Sequence, residues 1–290
     1  MLAMTIDGWV RMRYVTYDGG DGARIGMIDD GQVVDLGFDG TMTEFIAAGA
    51  PHGTYRGLAD FPRLLAPLRP RSMRDFLQFR GHLDNAFKRL QRPIPDEFWT
   101  VPAYYKAMPD TVIGPRDTIP WPAYTDRLDH ELELACVIGE PGLDISAAQA
   151  RRHIFGWTIW NDISARDVQV RELPLGLGPS KAKDWDGSNV LGPCLVTADE
   201  IDGFALDLAV RVNGEQWGAD NSANMQHGFD ELIAYTSQDQ MLRPGELLGS
   251  GTAAGGSGLE LDRWIQPGDV LELEVEGIGL LTNPVGSKRK

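Results

Sequence analysis

The segment Leu128-Asp-His-Glu-Leu-Glu-Leu134 runs without a break into Ala135-Cys-Val-Ile138, and no other stretch constrains the fold as much. In a strand, residues two apart face the same way, so Glu131 and Glu133 share one face at a separation of about 7 Å. The strand then becomes apolar on both faces, which is the pattern of a strand buried inside a layered β structure. Two like charges entering such a sheet are costly unless a cation lies between them, and a divalent metal ion would meet that need. The ordinary alternative for any Glu-x-Glu is a solvated strand edge, because charged residues usually stay exposed.

A second carboxylate run follows. Phe155-Gly-Trp-Thr-Ile-Trp160 reads as a buried strand and leads into Asn161-Asp162-Ile-Ser-Ala-Arg-Asp167. Asp162 at its end could complete a three-carboxylate site, and hard oxygen ligands of this kind suit Mg²⁺, Mn²⁺ or Ca²⁺ better than zinc. The competing reading has Asp162 capping the turn into a short helix at Asp167–Arg171.

The rest of the chain reads as mainly β with short helices, an α+β class. Its 34 glycines and 18 prolines in 290 residues punctuate the backbone too often for a helical bundle. Residues 9–36 alternate apolar and polar around Asp18-Gly-Gly-Asp-Gly22 and Asp29-Asp-Gly31, as short strands joined by tight turns do. A short helix at Met42–Ala48 and a proline-marked linker from Pro62 to Pro70 then bound a small N-terminal domain, 1–70, ahead of a larger one, 71–290. In residues 72–91, Phe76, Phe79, Leu83, Phe87 and Leu90 recur at steps of three and four, which predicts one helix, with Ser72 and Asp75 at its cap. Further strands are expected at Leu132–Gly139, Leu206–Val212 and Val270–Val275.

Several classes are disfavoured. A formal net charge of −15 repels phosphate backbones and argues against nucleic acid as a partner. No stretch approaches a membrane span and the N-terminus lacks a signal-peptide pattern, so a cytoplasmic protein with no membrane contact is the expectation. Cys136 and Cys194 sit in apolar runs without metal or disulfide spacing.

Taken in order, the motifs resemble the fumarylacetoacetate hydrolase family over roughly residues 72–285. They are Asp129-His-Glu-Leu-Glu-Leu with Val137-Ile-Gly139, Asn161-Asp-Ile-Ser-Ala-Arg-Asp167 with Gln169, and Gly178-Pro-Ser-Lys-Ala-Lys-Asp184. Leu191-Gly-Pro193, Val212-Asn-Gly214, Gly249-Ser-Gly-Thr252, Gly277-Ile-Gly279 and Asn283-Pro-Val285 complete the set. The resemblance implies a mixed β-sandwich roll, a homodimer, and a resident divalent metal, Mg²⁺ first and Mn²⁺ or Ca²⁺ after it. It implies Glu131, Glu133 and Asp162 as ligands. It adds Asp75 as a ligand seven residues before a catalytic His82, and Asp75 is otherwise a helix-dipole carboxylate. Glu260 is implied as the partner that orients His82 for base catalysis. Lys183, with Lys181 as its competitor, is implied beside metal and substrate, and Gln169 and Thr252 as substrate contacts.

Leu77 and Leu173 stand where the family places product-binding tyrosines, and Asp186-Gly187 replaces a small Gly-Thr pair. Arg80 or Arg171 is the candidate for the missing carboxylate contact. The expected reaction is metal-dependent hydrolysis of a carbon–carbon bond in a small carboxylated β-diketone, with water activated by His82 and Glu260. The alternative on the same scaffold is decarboxylation or isomerisation of a β-keto acid or dienedioate. A non-catalytic metal-binding protein is the third reading.

Overall fold

The computed structural model describes residues 12–51, 55–58 and 60–290. Leu132–Ile138 is a strand with every residue buried, as its double apolar face requires. It pairs antiparallel with Ile154–Asp162, which pairs antiparallel with Asn189–Thr197. On its other side lie Leu247–Gly249, then Met73–Asp75 in parallel, then Tyr105–Ala107. These strands belong to an 11-stranded mixed sheet.

Alternation along the central strand divides the interior in two. Leu132, Leu134, Cys136 and Ile138 point into one core with Leu208, Val210, Leu271, Leu273 and Leu281. Those partners come from a second, 5-stranded sheet containing Asp207–Val212, Val270–Val275 and Gly279–Lys288. Ala135 and Val137 point the other way, into a core with Tyr14, Phe45, Ile46, Met73 and Trp160. Phe45 and Ile46 belong to the helix Met42–Ala47, which Thr41 and Glu44 close with a reciprocal capping box. Glu131 and Glu133 have the parity of Ala135, so they lie on this second face, at the strand's open end.

The architecture is mainly β with short helices, as the sequence implies. Strands occur at Arg13–Asp18, Ala23–Asp29 and Gln32–Asp35; the part of that expectation at 9–11 lies outside the described residues. Arg13 and Tyr14 pair with Val196 and Leu195, so these N-terminal strands extend the large sheet. A helix at Arg166–Glu172 matches the one expected at Asp167–Arg171. No helix among the described residues is long and apolar enough to cross a membrane.

One expectation is corrected. The helix read over 72–91 exists only as Arg80–Leu90, and Met73–Asp75 is a strand. The phenylalanine spacing is real, and Phe76 and Phe79 are both fully buried. The backbone there, however, is claimed by the segment around Leu247–Gly249: Phe76 and Gln78 donate to the carbonyls of Gly249 and Ser250. Asp75 is therefore neither a helix cap nor a first-turn dipole carboxylate.

Candidate metal and proton-transfer site

Register brings four carboxylates together. Met73–Asp75 places Asp75 opposite Gly249, which itself lies opposite Ala135, two residues from Glu133. Glu133 pairs with Trp160, and Asp162 lies two residues further along that strand on the same face. Asp75, Glu131, Glu133 and Asp162, all buried, each offer an oxygen within 4.8 Å of the others.

Cations answer only half of this charge. The Lys183 ammonium contacts both Glu131 and Asp162. Arg166 donates to Glu131 Oε1 at 2.7 Å and to Asp129 Oδ2 at 2.8 Å. The Tyr105 hydroxyl donates to Asp162 Oδ2 at 2.6 Å. Burial raises the Glu131 carboxyl, but Lys183 and Arg166 outweigh it and hold Glu131 far below the usual range. Asp75 and Glu133 make no ion pair among the described residues: burial, then the charges of their neighbours, push both well up, and the more distant Lys183 offsets this only in part at Asp75. Asp75 Oδ1, both Glu133 oxygens and Asp162 Oδ1 are buried without a hydrogen-bond donor among the described residues. Buried polar atoms are almost always partnered. Four orphaned oxygens on three of these clustered carboxylates, with no nitrogen or sulfur among them, fit a hard divalent cation.

Lys183 reaches the cluster from a one-turn helix, Lys181–Lys183, that buries it; Lys181 on the same turn lies outward over the Tyr124 ring. Thr252 follows Gly251, whose positive φ of 79° lets the chain pass against Phe76, where a side chain would collide with the Phe76 carbonyl at 2.5 Å. The Thr252 hydroxyl is buried and has no hydrogen-bond partner among the described residues.

His82 and Glu260 meet from distant parts of the chain. His82 lies in the first turn of Arg80–Leu90, and its Nδ1 is 2.8 Å from Glu260 Oε1. Glu260 stands on the short helix Gly258–Leu261 and also accepts from Asn85 Nδ2, the Gly255 amide and the Ser257 hydroxyl. Burial raises the Glu260 carboxyl, but His82, Asn85 and the Gly255 amide together outweigh it and hold the group below its ordinary value. A carboxylate on Nδ1 fixes the tautomer that leaves Nε2 as a proton acceptor. Glu131 forms a β-bridge with Ser257, whose hydroxyl donates to Glu260 Oε1 at 3.1 Å, so the pair and the carboxylate cluster lie side by side.

Arg80 is not brought there. Its side chain is 67% exposed and lies over the Trp99 ring at 4.7 Å. Gln169 accepts from Arg166 at 2.9 Å and stands at the site's edge. Sequence reasoning gave no role to three residues that hold the site together. Arg166 and Asp129 lie inside the quoted motifs, and the signal was available: a buried-strand acid two residues before Glu131 needs a cation, and Arg166 follows Asp162 by four. Asp129 accepts from Arg166 and from the Gly258 and Leu259 amides, tying the turn that carries Glu260 to the strand that carries Glu131. Tyr105 had no local signal.

Such a fold is a β-roll with an oxygen-only cluster that could hold a metal ion at the end of its central strands and a histidine–glutamate pair beside it. Residues 72–286 match the family model for the fumarylacetoacetate hydrolase C-terminal domain, and the chain belongs to that family. It is 34% identical over 195 residues to the mitochondrial oxaloacetate tautomerase of Homo sapiens, an alignment covering 67% of this chain and 60% of that protein. It superposes on a fumarylacetoacetate hydrolase from Exiguobacterium antarcticum with a TM-score of 0.82 and 28% identity, covering 95% of this chain and 99% of the other. A 5-carboxymethyl-2-hydroxymuconate delta-isomerase from Mycobacterium smegmatis superposes with a TM-score of 0.74 at 30% identity, covering 96% and 100%.

Proposed function

We propose that this chain is a divalent-metal-dependent isomerase or tautomerase of a small anionic keto acid, moving a proton between carbon and oxygen or between two carbons. The observation that carries the proposal is His82, locked by Glu260 through Nδ1, beside a cluster of four buried carboxylates, three of which keep oxygens without a hydrogen-bond donor among the described residues. Hydrolysis, the reaction expected first from the motifs, becomes the second reading. Relatives described as a tautomerase and a delta-isomerase weigh toward proton transfer, and the similarity to a fumarylacetoacetate hydrolase keeps water attack in view.

A cation held by Asp75, Glu131, Glu133 and Asp162 would act as a Lewis acid toward the oxygens of a chelating keto acid, lowering the pKa of the adjacent C–H. His82 Nε2 takes that proton, and Glu260 stabilises the imidazolium that forms. The same proton returns to the enolate oxygen in a tautomerisation, or to a more distant carbon in a double-bond shift. Lys183 and the Thr252 hydroxyl offer positive charge and a hydrogen bond to the oxygen that becomes anionic.

The test is metal-stripped protein assayed before and after addition of Mg²⁺ or Mn²⁺. The substrates are enol oxaloacetate, a 2-hydroxydienedioate and an acylpyruvate. Metal-restored interconversion with the carbon skeleton intact, lost in His82→Ala, supports the proposal. Cleavage of the acylpyruvate to two acids without isomerisation of the other two replaces it with the hydrolase reading.

A further inference from the structure

The turn at residues 253–256 touches both members of the histidine–glutamate pair. Its ends are tied to the central strand: the Ala253 amide donates to the Leu132 carbonyl at 2.9 Å, and the Leu132 amide donates to the Gly256 carbonyl at 3.0 Å. Between those ends, two successive amides each donate to a carboxylate. Gly255 donates to Glu260 Oε2 at 2.8 Å, and Ala254 donates to Asp220 Oδ2 at 2.7 Å. Ala254 also lies against the helix of His82, where a Cβ added to Gly81 would stand 2.7 Å from the Ala254 methyl.

Asp220 comes from the other sheet. Its strand, Glu215–Asn221, pairs with Asp207–Val212 through a register shift: Val210 faces Gly218 and Arg211 faces Gln216, so Trp217 is an extra residue. A bulge of this kind bends its strand and re-aims the side chains beyond it. Gly218 and Asp220, two apart, share a face, and both meet the turn. A Cβ on Gly218 would stand 1.9 Å from the Gly255 carbonyl oxygen, so the strand backbone lies against that peptide. Asp220 Oδ1 accepts from the Asn221 amide at 2.8 Å and from Asn224 Nδ2 at 2.7 Å, which aims Oδ2 at Ala254. A carboxylate on a backbone amide makes a charge-assisted bond, stronger than a neutral one.

We infer that Asp220 is a positioning residue for the histidine–glutamate pair: by holding the Ala254 amide it keeps the next amide, Gly255, on Glu260, and so keeps Glu260 on His82 Nδ1. The inference rests on the reading above, in which His82 moves the proton. The path is continuous, from Asp220 to Ala254 at 2.7 Å, Gly255 to Glu260 at 2.8 Å, and Glu260 to His82 at 2.8 Å. Released from Asp220, the turn carries Gly255 with it and Glu260 loses one of its four donors. A misplacement of about 1 Å at a reacting group is enough to cost up to about a hundredfold in rate.

The test uses the Mg²⁺-loaded full chain with ¹⁵N-labelled histidine, and His82→Ala assigns the His82 signals. In the unmodified chain the ring nitrogens should show a protonated Nδ1 and a bare Nε2. In Asp220→Ala the two ¹⁵N shifts should move toward each other as the tautomer is released. Asp220→Asn, which keeps one acceptor oxygen, should recover part of the difference. Gly218→Ala, which displaces the same peptide with Asp220 intact, should act in the same direction. In turnover of whichever substrate above is converted, Asp220→Ala should lower kcat about ten- to a hundredfold with KM within about threefold. In a Glu260→Gln background the same substitution should cost less than about threefold, because residues acting through one another are not additive. His82 shifts that are unchanged in both Asp220→Ala and Gly218→Ala overturn the inference, as does an Asp220→Ala loss that persists in full without Glu260. Should no keto acid turn over at all, the proposed function fails on its own, and the His82 shifts still decide the role of Asp220.

Discussion

Arg166→Met removes one side of two buried ion pairs, so its cost can be worked from the geometry. Arg166, Asp129 and Glu131 side chains are 4%, 0% and 6% exposed, and the contacts are 2.8 and 2.7 Å. Breaking a buried pair by deleting one partner costs roughly 3–5 kcal/mol, because the remaining charge is left in a low-dielectric interior. Two pairs do not double this. Asp129 keeps the Gly258 and Leu259 amides, and Glu131 keeps Lys183. We therefore expect the lower end, about 3 kcal/mol, read as a shift in the urea midpoint at unchanged m-value. The loss should be accompanied by a fall in metal affinity, since Glu131 and the Glu260 turn both lose their common anchor. Arg166→Lys should recover less than half, because one ammonium cannot serve Asp129, Glu131 and Gln169 in a planar fork. A destabilisation under about 1 kcal/mol would refute the reasoning, since it would mean that water or a rearranged neighbour already satisfies both carboxylates.

Other outcomes follow from the same site. Glu133→Gln should stabilise the metal-free protein, because it removes a buried acid that must either stay charged with no cation opposite it or take up a proton on folding, and should lower metal affinity; calorimetric titration with Mg²⁺ and urea melts in chelator read the two opposite signs. His82→Ala should lower kcat about 10²- to 10⁴-fold while leaving the metal affinity of the carboxylate cluster within a few-fold, checked by turnover and calorimetry together. Glu260 is held below its ordinary value, so its stabilising contribution is present above the usual carboxylate range and is lost as pH falls through the depressed folded value. The stability gap between the unmodified chain and Glu260→Gln should accordingly shrink as melts are run at progressively lower pH below that range. Chelator should lower the melting temperature, and Mg²⁺ at about a hundred times its Kd should restore about 2.7 kcal/mol.

What the sequence disclosed depends on how far apart the interacting residues lie in the chain. Glu131 and Glu133 announce themselves because strand alternation and the apolar run after them are local facts, and the ladder of Leu132–Ile138 obeys both. The short helix at 42 is equally local, since Thr41 and Glu44 close it with their own capping box. Residues 72–79 mislead for the converse reason. Their apolar spacing suits a helix stripe, and the backbone nevertheless joins a strand more than 170 residues away, whose carbonyls receive the Phe76 and Gln78 amides. Tyr105 is silent because a tyrosine on a three-residue edge strand carries no pattern at all.

Asp75 shows what a motif contributes that periodicity cannot. Read as part of a helix, an acid seven residues before His82 shares a flank with it, and that geometry would have carried Asp75 along with His82. In the fold the two are separated by a change from strand to helix at Phe79, and Asp75 reaches Glu133 and Asp162 through the parallel pairing of Met73–Asp75 with Leu247–Gly249. The spacing is therefore not a helical repeat. It is the length of chain needed to leave the sheet after one acid, turn through Phe76–Phe79 and enter a helix whose first turn delivers the histidine to Glu260. An insertion of a single residue between Asp75 and His82 should leave the carboxylate cluster and its metal affinity in place, because strand pairing fixes Asp75, yet turn His82 away from Glu260 and abolish turnover. Loss of both together would mean that strand and helix move as one unit, and that the sheet is not what positions the acid.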